Sequence, residues 1–109
     1  MHMRMVLLAV AAALFAGMAQ ADDLPRLTIK DHKFQPERLE VPAGVKFRLA
    51  VRNDDPTAEE FESFELNREK VVPAGKEIPV FLGPLESGKQ YPFFGDFHRD
   101  TAKGVLVSK

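Results

Sequence analysis

Two short segments concentrate the side chains that could bind a cation. The first runs from Glu59 to Glu65 and holds four carboxylates, with Glu69 a little further along the chain. The second, at 96–100, reads Asp-Phe-His-Arg-Asp. Carboxylate oxygens suit hard cations, and imidazole nitrogens suit copper, iron and zinc. Both segments are therefore candidates for a metal site.

The acidic segment has an alternation that a β-strand would turn into two faces. Residues two apart in a strand share a face, so Glu60 and Glu62 are expected to project together while Glu59 takes the other side. Two carboxylates on one face repel each other unless a cation or a shared proton lies between them. A Glu-rich edge strand with a solvated face has the same pattern, so this segment alone leaves both interpretations open.

The second segment sets its polar residues among aromatic ones. Residues 93–98 read Phe-Phe-Gly-Asp-Phe-His. Apolar surroundings fix an imidazole and lower the local dielectric constant, which favours His98 as a metal ligand. The alternative is a loop in which phenylalanines close the core and His98 is half-exposed. His32 lies between charged neighbours, which indicates a surface position rather than a ligand.

Composition excludes several other kinds of site. The chain has no Cys, which rules out disulfides and thiolate metal sites. Its net charge of −1 gives no support for a nucleic-acid partner. The sequence contains neither the G-x-S-x-G nucleophile motif nor a glycine-rich phosphate loop. One well-placed His is too few for most hydrolytic zinc sites.

The elements that would position these residues are predicted to be short strands. Apolar or alternating runs are separated by Pro and Gly, and two Pro-Ala-Gly turns stand at 42–44 and 73–75. Pro79 predicts an edge strand or a bulge. This punctuation indicates an all-β sandwich or barrel. The predicted strands are 27–30, 39–41, 45–52, 61–66, 71–72, 78–82, 91–94 and 104–107.

The N-terminal region predicts export. Arg4 precedes an apolar stretch at 6–17, and Ala-Gln-Ala at 19–21 is a small-x-small cleavage pattern. The stretch is shorter than the roughly 20 residues that span a bilayer, which favours cleavage over an uncleaved anchor. We therefore expect a signal peptide at 1–21 and one exported domain at 22–109.

The order of motifs over 27–108 resembles the cupredoxin family of Greek-key β-sandwiches, many of which bind copper. The residues that carry this resemblance lie at 34–44, 51–55, 91–98 and 104–107. The resemblance implies an all-β cupredoxin-like sandwich. It does not extend to a blue-copper site, because Glu59 replaces the first His, Gly95 replaces the Cys, and 102–103 (Ala-Lys) replaces the Met. Of that ligand set, only His98 remains.

Two motifs point to a narrower group. Glu-Phe-Glu-Ser at 60–63 and the segment 93–98 resemble the cupredoxin-like domains of bacterial periplasmic iron uptake, the EfeO N-terminal domain and especially the FtrB type. This resemblance implies a periplasmic protein that binds copper and/or iron, assists ferrous oxidation and works with an iron permease and other uptake components.

The expected ligands come from both candidate segments. They are Glu59, Glu60, Glu62, Asp96 and His98, with Glu65 and Glu69 as outer groups. Oxidation by this chain alone would still need an electron acceptor, so it is not expected without partners. The alternative function is a metal-free β-sandwich that serves as an interaction module in the periplasm.

Overall fold

The computed structural model describes residues 24–109. Within that range the chain forms nine strands and one short 3-10 turn. The strands are β1 Arg26–Lys30, β2 Lys33–Gln35, β3 Arg38–Val41, β4 Phe47–Asn53, β5 Glu59–Ser63, β6 Arg68–Val72, β7 Glu77–Leu82, β8 Gln90–Gly95 and β9 Lys103–Ser108, and the 3-10 turn is Asp96–His98.

The strands form two sheets packed as a sandwich. One sheet has the order β2-β1-β4-β7, and the other has the order β3-β9-β8-β5-β6. β1 pairs with β4 and β3 pairs with β9 in parallel, whereas the other pairings are antiparallel. The all-β cupredoxin-like sandwich expected from the sequence is therefore confirmed.

Alternation along the strands produces the core. In β1, Leu27 and Ile29 are fully buried while Arg26 and Lys30 are exposed, as expected for a strand with one face against a second sheet. Three aromatic rings meet in the middle of the sandwich. Phe34 lies edge-on to Phe93 at 4.8 Å between ring centroids and edge-on to Phe61 at 6.2 Å, a favourable geometry for aromatic pairs.

The predicted strands are present, with shifts at their ends. The acidic strand was predicted at 61–66 but spans Glu59–Ser63, because a turn begins at Phe64. β2 was not predicted, since three residues are too few to show a period. Pro79 lies on β7, an edge strand, as its sequence indicated.

The acidic strand is interior, which overturns the interpretation of a solvated edge. β5 pairs with β6 over its whole length, and it pairs with β8 at Phe61–Gly95 and Glu62–Phe94. Glu59 is 1% exposed and Glu60 is 8% exposed.

The predicted signal peptide at 1–21 lies outside the described residues. Within the described residues, no helix is long and apolar enough to cross a membrane.

Candidate metal centre

β5 carries metal-ligating side chains on both of its faces, and each face meets further donors from other elements. On the inner face, His32, Glu59 and His98 form what we call the histidine cluster. On the outer face, Glu60, Glu62 and Asp96 form the acidic cluster. Within each cluster one donor atom per residue lies within 4.8 Å of the others. The five expected ligands are thus divided between two sites.

Glu59 is the centre of the histidine cluster, and its carboxylate is fully engaged. One oxygen, Oε2, lies 2.5 Å from Nδ1 of His98. The other, Oε1, accepts hydrogen bonds from the backbone N–H of Phe97 at 2.8 Å and of Glu60 at 3.0 Å. A buried carboxylate is tolerated when hydrogen bonds replace its hydration, which is the case here.

Gly95 leaves the room that the Glu59 carboxylate fills. A Cβ atom at this position would lie 2.7 Å from Cδ of Glu59 and 2.7 Å from Cβ of Ala102. Position 95 is where the blue-copper pattern has its Cys. The carboxylate of Glu59 therefore lies beside the position of the missing thiolate. This placement of Glu59 requires a residue without a side chain at position 95.

His98 is held by the 3-10 turn that follows β8. Its backbone carbonyl accepts hydrogen bonds from the N–H of Thr101 and of Ala102, and its side chain is 30% exposed. Glu59 contacts Nδ1 of the ring, so a metal held by both residues would replace this contact. His98 thus keeps some solvent access, while Phe97 beside it is 49% exposed.

His32 was predicted to be a surface residue, but the fold brings it onto His98. The two rings stack with centroids 3.6 Å apart and planes at 15°. The His32 side chain remains 42% exposed, so it lies at the mouth of the cluster. The sequence carried no local signal for this contact, because Asp-His is not among the residue pairs that favour a two-residue hairpin loop.

The acidic cluster gathers carboxylates with few compensating groups. Glu60 and Glu62 share the outer face of β5, and Asp96 approaches from the 3-10 turn. Glu69, an expected outer group, stands directly opposite Glu62 on β6. Like charges opposite each other in a sheet are destabilising. Glu65, the other outer group, lies outside both clusters, 3.6 Å from Lys89.

Glu60 is the least satisfied member of this cluster. Its Oε1 is buried and has no hydrogen-bond partner among the described residues. Burial, together with the negative charges of Glu69, Asp96 and Glu62, raises the pKa of Glu60 to about 7. A buried oxygen without a donor is a position where a cation or a proton would be stabilised.

Arg99 forms an ion pair with Asp96. Its Nε donates to Oδ1 of Asp96 at 2.6 Å, and its Nη2 also contacts that oxygen. The guanidinium lies over the ring of Phe94, 4.8 Å from the centroid. Arg99 therefore occupies one side of a carboxylate that a cation in the cluster would also use.

The donor sets fit metals other than blue copper. No thiolate is available, so the soft site that the fold often carries does not fit this chain. Imidazole nitrogen with carboxylate oxygen suits Cu(II) and iron, and three carboxylates suit a hard cation such as Fe(III). The residues present therefore fit copper or iron bound through nitrogen and oxygen.

The sequence and the fold agree with a known family. The family model described as "Cupredoxin-like domain" matches residues 3–108. The chain belongs to the cupredoxin-like domain family.

One relative is similar to this chain in sequence over most of the domain. An uncharacterized protein of Rickettsia prowazekii (strain Madrid E) is 52% identical over 82 residues, which are 75% of this chain and 65% of that protein. This cupredoxin-like domain therefore spans less than two thirds of that relative's length.

Solved structures share the fold at low identity. Auracyanin A, a "blue" copper protein from Chloroflexus aurantiacus, aligns with a TM-score of 0.65 at 12% identity, covering 77% of this chain and 96% of its own. A purple cupredoxin from Nitrosopumilus maritimus aligns with a TM-score of 0.61 at 17% identity, covering 78% and 99%. At these identities the likeness carries the fold alone.

Proposed function

We propose that this cupredoxin-like domain is a periplasmic metal-binding protein of an iron-uptake system. It binds copper at the histidine cluster through Glu59 and His98, and it receives iron as cargo at the acidic cluster. Its role is to assist oxidation of ferrous iron before a permease takes up the ferric ion. The observation that carries the proposal is the buried carboxylate oxygen of Glu60, which lies among carboxylates and has no hydrogen-bond partner within residues 24–109.

The acidic cluster is suited to the higher oxidation state of iron. Carboxylates are hard ligands, and their attraction for a cation grows with its charge. Glu60, Glu62 and Asp96 are therefore expected to bind Fe(III) more tightly than Fe(II), which makes oxidation of bound iron easier. A cation here would also remove the repulsion that raises the pKa of Glu60.

The histidine cluster is suited to a resident copper ion. His98 offers an imidazole that is oriented by a buried carboxylate and partly open to solvent. Cu(II) bound there would accept one electron from ferrous iron, and a partner protein would have to take that electron from Cu(I) before the next ion. Because Glu59 and Glu60 are consecutive, and because Asp96 and His98 belong to one 3-10 turn, the two clusters share their supporting backbone.

The role in iron uptake rests on the two sequence motifs. Glu-Phe-Glu-Ser at 60–63 and the segment 93–98 resemble the FtrB-type domains, and they pair as neighbouring strands in this fold. The predicted signal peptide at 1–21 supports a periplasmic location, where an iron permease and other uptake components would be partners. Auracyanin A, which shares the fold, is a "blue" copper protein, but that likeness carries the fold alone, so the metal-binding role rests on the two clusters.

Calorimetric titration of the purified, metal-stripped protein tests this function. Cu(II), Fe(II), Fe(III), Zn(II) and Mn(II) are titrated against the original chain, His98→Ala and Glu62→Gln. Glu65→Gln is the matched control, since it removes the same charge from an exposed position. We expect His98→Ala to abolish copper binding and Glu62→Gln to weaken iron binding, with Glu65→Gln unchanged. Unchanged binding in both site variants would overturn the proposal.

A second candidate function is an interaction module that binds no metal. The exposed aromatic surface favours it: Phe64 is 73% exposed, and its ring centroid lies 5.3 Å from that of Phe94. Thermal unfolding separates the two functions. A metal at a hundred times its dissociation constant adds about 2.7 kcal/mol to stability, which is several degrees for a small domain. The absence of a shift with every metal would favour the module.

A further inference from the structure

The turn between β1 and β2 has an unusual backbone for its sequence. Lys30 pairs with Lys33, so Asp31 and His32 form a two-residue hairpin loop. Both have positive φ, 52° at Asp31 and 59° at His32. Such a loop follows the right-handed twist of a hairpin, but it strongly prefers Asn-Gly or Asp-Gly. A His at the second position is conformationally unfavourable, because its Cβ crowds the backbone in this region.

Asp55, which lies just after the neighbouring strand β4, holds this turn. Its Oδ1 accepts the N–H of Asp31 at 2.7 Å, and its Oδ2 accepts the N–H of His32 at 2.9 Å. Asp55 is itself buried at 5% exposure, and its N–H donates to Oδ1 of the fully buried Asn53. On the other side, the hydroxyl of Thr101 donates to the His32 carbonyl at 2.6 Å.

These contacts place the His32 ring on the histidine cluster. The ring stacks on His98 at 3.6 Å between centroids, and a nitrogen of each ring lies within 4.8 Å of a Glu59 carboxylate oxygen. Unfavourable backbone conformations persist where surrounding contacts enforce them, and they are concentrated at functional sites. Glycine would satisfy the turn but would remove this imidazole.

We propose that His32 is a third metal donor of the histidine cluster and that Asp55 is its positioning residue. This inference rests on the proposed metal binding by Glu59 and His98, and it adds a ligand from a different sheet. Once one ring turns out of the stack so that both nitrogen lone pairs point at the same ion, the cluster offers two imidazoles and one carboxylate. That set favours Cu(II) among divalent first-row ions, which bind nitrogen donors in the Irving–Williams order.

Two glycine substitutions in the same turn test His32. His32→Gly removes both the strain and the donor, whereas Asp31→Gly removes strain and keeps the donor. We expect each metal-free variant to unfold at or above the original temperature. In His32→Gly, copper affinity should fall at least tenfold, and the imidazole nitrogens coupled to Cu(II) in pulsed electron paramagnetic resonance should fall from two to one. Asp31→Gly should keep both values.

The outcomes separate this inference from the proposed function. Copper binding that is lost in His98→Ala but unchanged in His32→Gly, with the same nitrogen count, would overturn the role of His32 and leave the proposed function standing. No copper binding by the original chain would overturn both. A His32→Gly protein that unfolds at a much lower temperature than Asp31→Gly would make His32 a packing residue and would also contradict the inference.

Asp55 is tested by its coupling to His32. Asp55→Asn keeps one acceptor oxygen and loses the other, so we expect weaker copper binding and a second imidazole that is only partly populated in the resonance spectrum. In the double variant with His32→Gly, Asp55→Asn should cause no further loss of copper affinity, because the imidazole that Asp55 positions is already absent. Additive losses would contradict a positioning role.

If Asp55→Asn does not fold, Thr101→Val gives the same test from the exposed side of the turn, with a smaller expected loss of copper affinity.

Discussion

Glu59 and Glu60 are consecutive in the chain, yet their carboxylates lie in opposite surroundings. Glu59 faces inward, where two backbone N–H groups and His98 satisfy its oxygens. Glu60 faces the acidic side of the sheet, where its neighbours are carboxylates and one of its oxygens has no partner among the described residues. One strand therefore presents a prearranged donor on one face and an electrostatically frustrated donor on the other.

This difference suggests how each cluster would respond to a cation. At the histidine cluster, a metal must replace an existing short contact between Glu59 and His98, so its affinity depends on how well the donors are positioned. At the acidic cluster, a metal relieves repulsion that is already present, so its affinity depends on charge.

The largest effect is expected from Gly95→Ala. Gly95 has extended backbone angles, φ −97° and ψ 111°, so alanine introduces no backbone strain. The added methyl group would instead meet the Glu59 carboxylate and Ala102. We expect a loss of about 1–3 kcal/mol in the free energy of unfolding, typical of overpacking, together with loss of copper binding. Chemical denaturation and copper titration measure the two effects.

Adding Ala102→Gly to Gly95→Ala tests whether the loss of stability comes from steric overlap. The added substitution removes one of the three atoms that a Cβ at position 95 would meet, the other two belonging to Glu59. The double variant should recover part of the stability while copper binding stays weak, because the contact with Glu59 remains. Wild-type stability and copper affinity in Gly95→Ala would show that Glu59 does not depend on this space.

The next effect concerns the pH dependence of the metal-free protein. The pKa of Glu60 is raised to about 7 in the folded state. Because a raised pKa favours the protonated form, this contribution to stability is fully present below the ordinary value of 4.5 and is lost as pH rises through about 7. Glu60→Gln should therefore be more stable than the original chain at pH 8 and should lose less stability between pH 5 and 8.

Asp55 provides an internal contrast to Glu60. Burial opposes its ionisation, but the backbone N–H groups of His32 and Asp31 outweigh burial and lower the pKa of Asp55. Its contribution is present above the ordinary value of 3.8 and is lost only as pH falls below it, so it does not affect the window used for Glu60. Glu65→Gln is the control. Parallel pH profiles for Glu60→Gln and Glu65→Gln would contradict the account of Glu60.

The smallest effect is expected from Arg99→Gln. Arg99 competes with a bound cation for Asp96, so its removal should tighten metal binding at the acidic cluster. Its side chain is 61% exposed, and exposed ion pairs contribute at most about 1 kcal/mol, so we expect an increase of about two- to fivefold. Lys103→Gln is the matched control, because Lys103 is an exposed cation opposite Phe94. Equal effects in both variants would indicate general charge rather than competition.

The sequence predicted the strands and the acidic segments, because these depend on local alternation and turn residues. The strand period of β4 can be recognised without tertiary information, from apolar residues at Val45, Phe47, Leu49 and Val51. Val45 itself, however, precedes β4 and is 52% exposed. The Pro-Ala-Gly turns were equally clear, since Gly44 and Gly75 adopt the positive φ that such turns require.

The alternation predicted that Glu59 and Glu60 face opposite sides, but the contact of His32 with His98 and the side that faces inward could not be predicted, because both depend on long-range contacts. The position of His32 depends on Asp55, which is 23 residues away, and on its stacking with His98. The facing of Glu59 depends on where β5 begins, which the sequence placed two residues later. Sequence patterns report local structure, whereas the position of His32 and the facing of Glu59 arise from the packing of two sheets.

Binding of cations at two separate clusters can be checked by metal stoichiometry in variants that each alter one cluster. Cu(II) and Fe(III) are titrated together and separately into the purified protein, His98→Ala and Glu62→Gln. We expect two cations per chain, with His98→Ala losing only copper and Glu62→Gln weakening only the binding of iron. Absence of saturable binding, or loss of both metals in either variant, would contradict it.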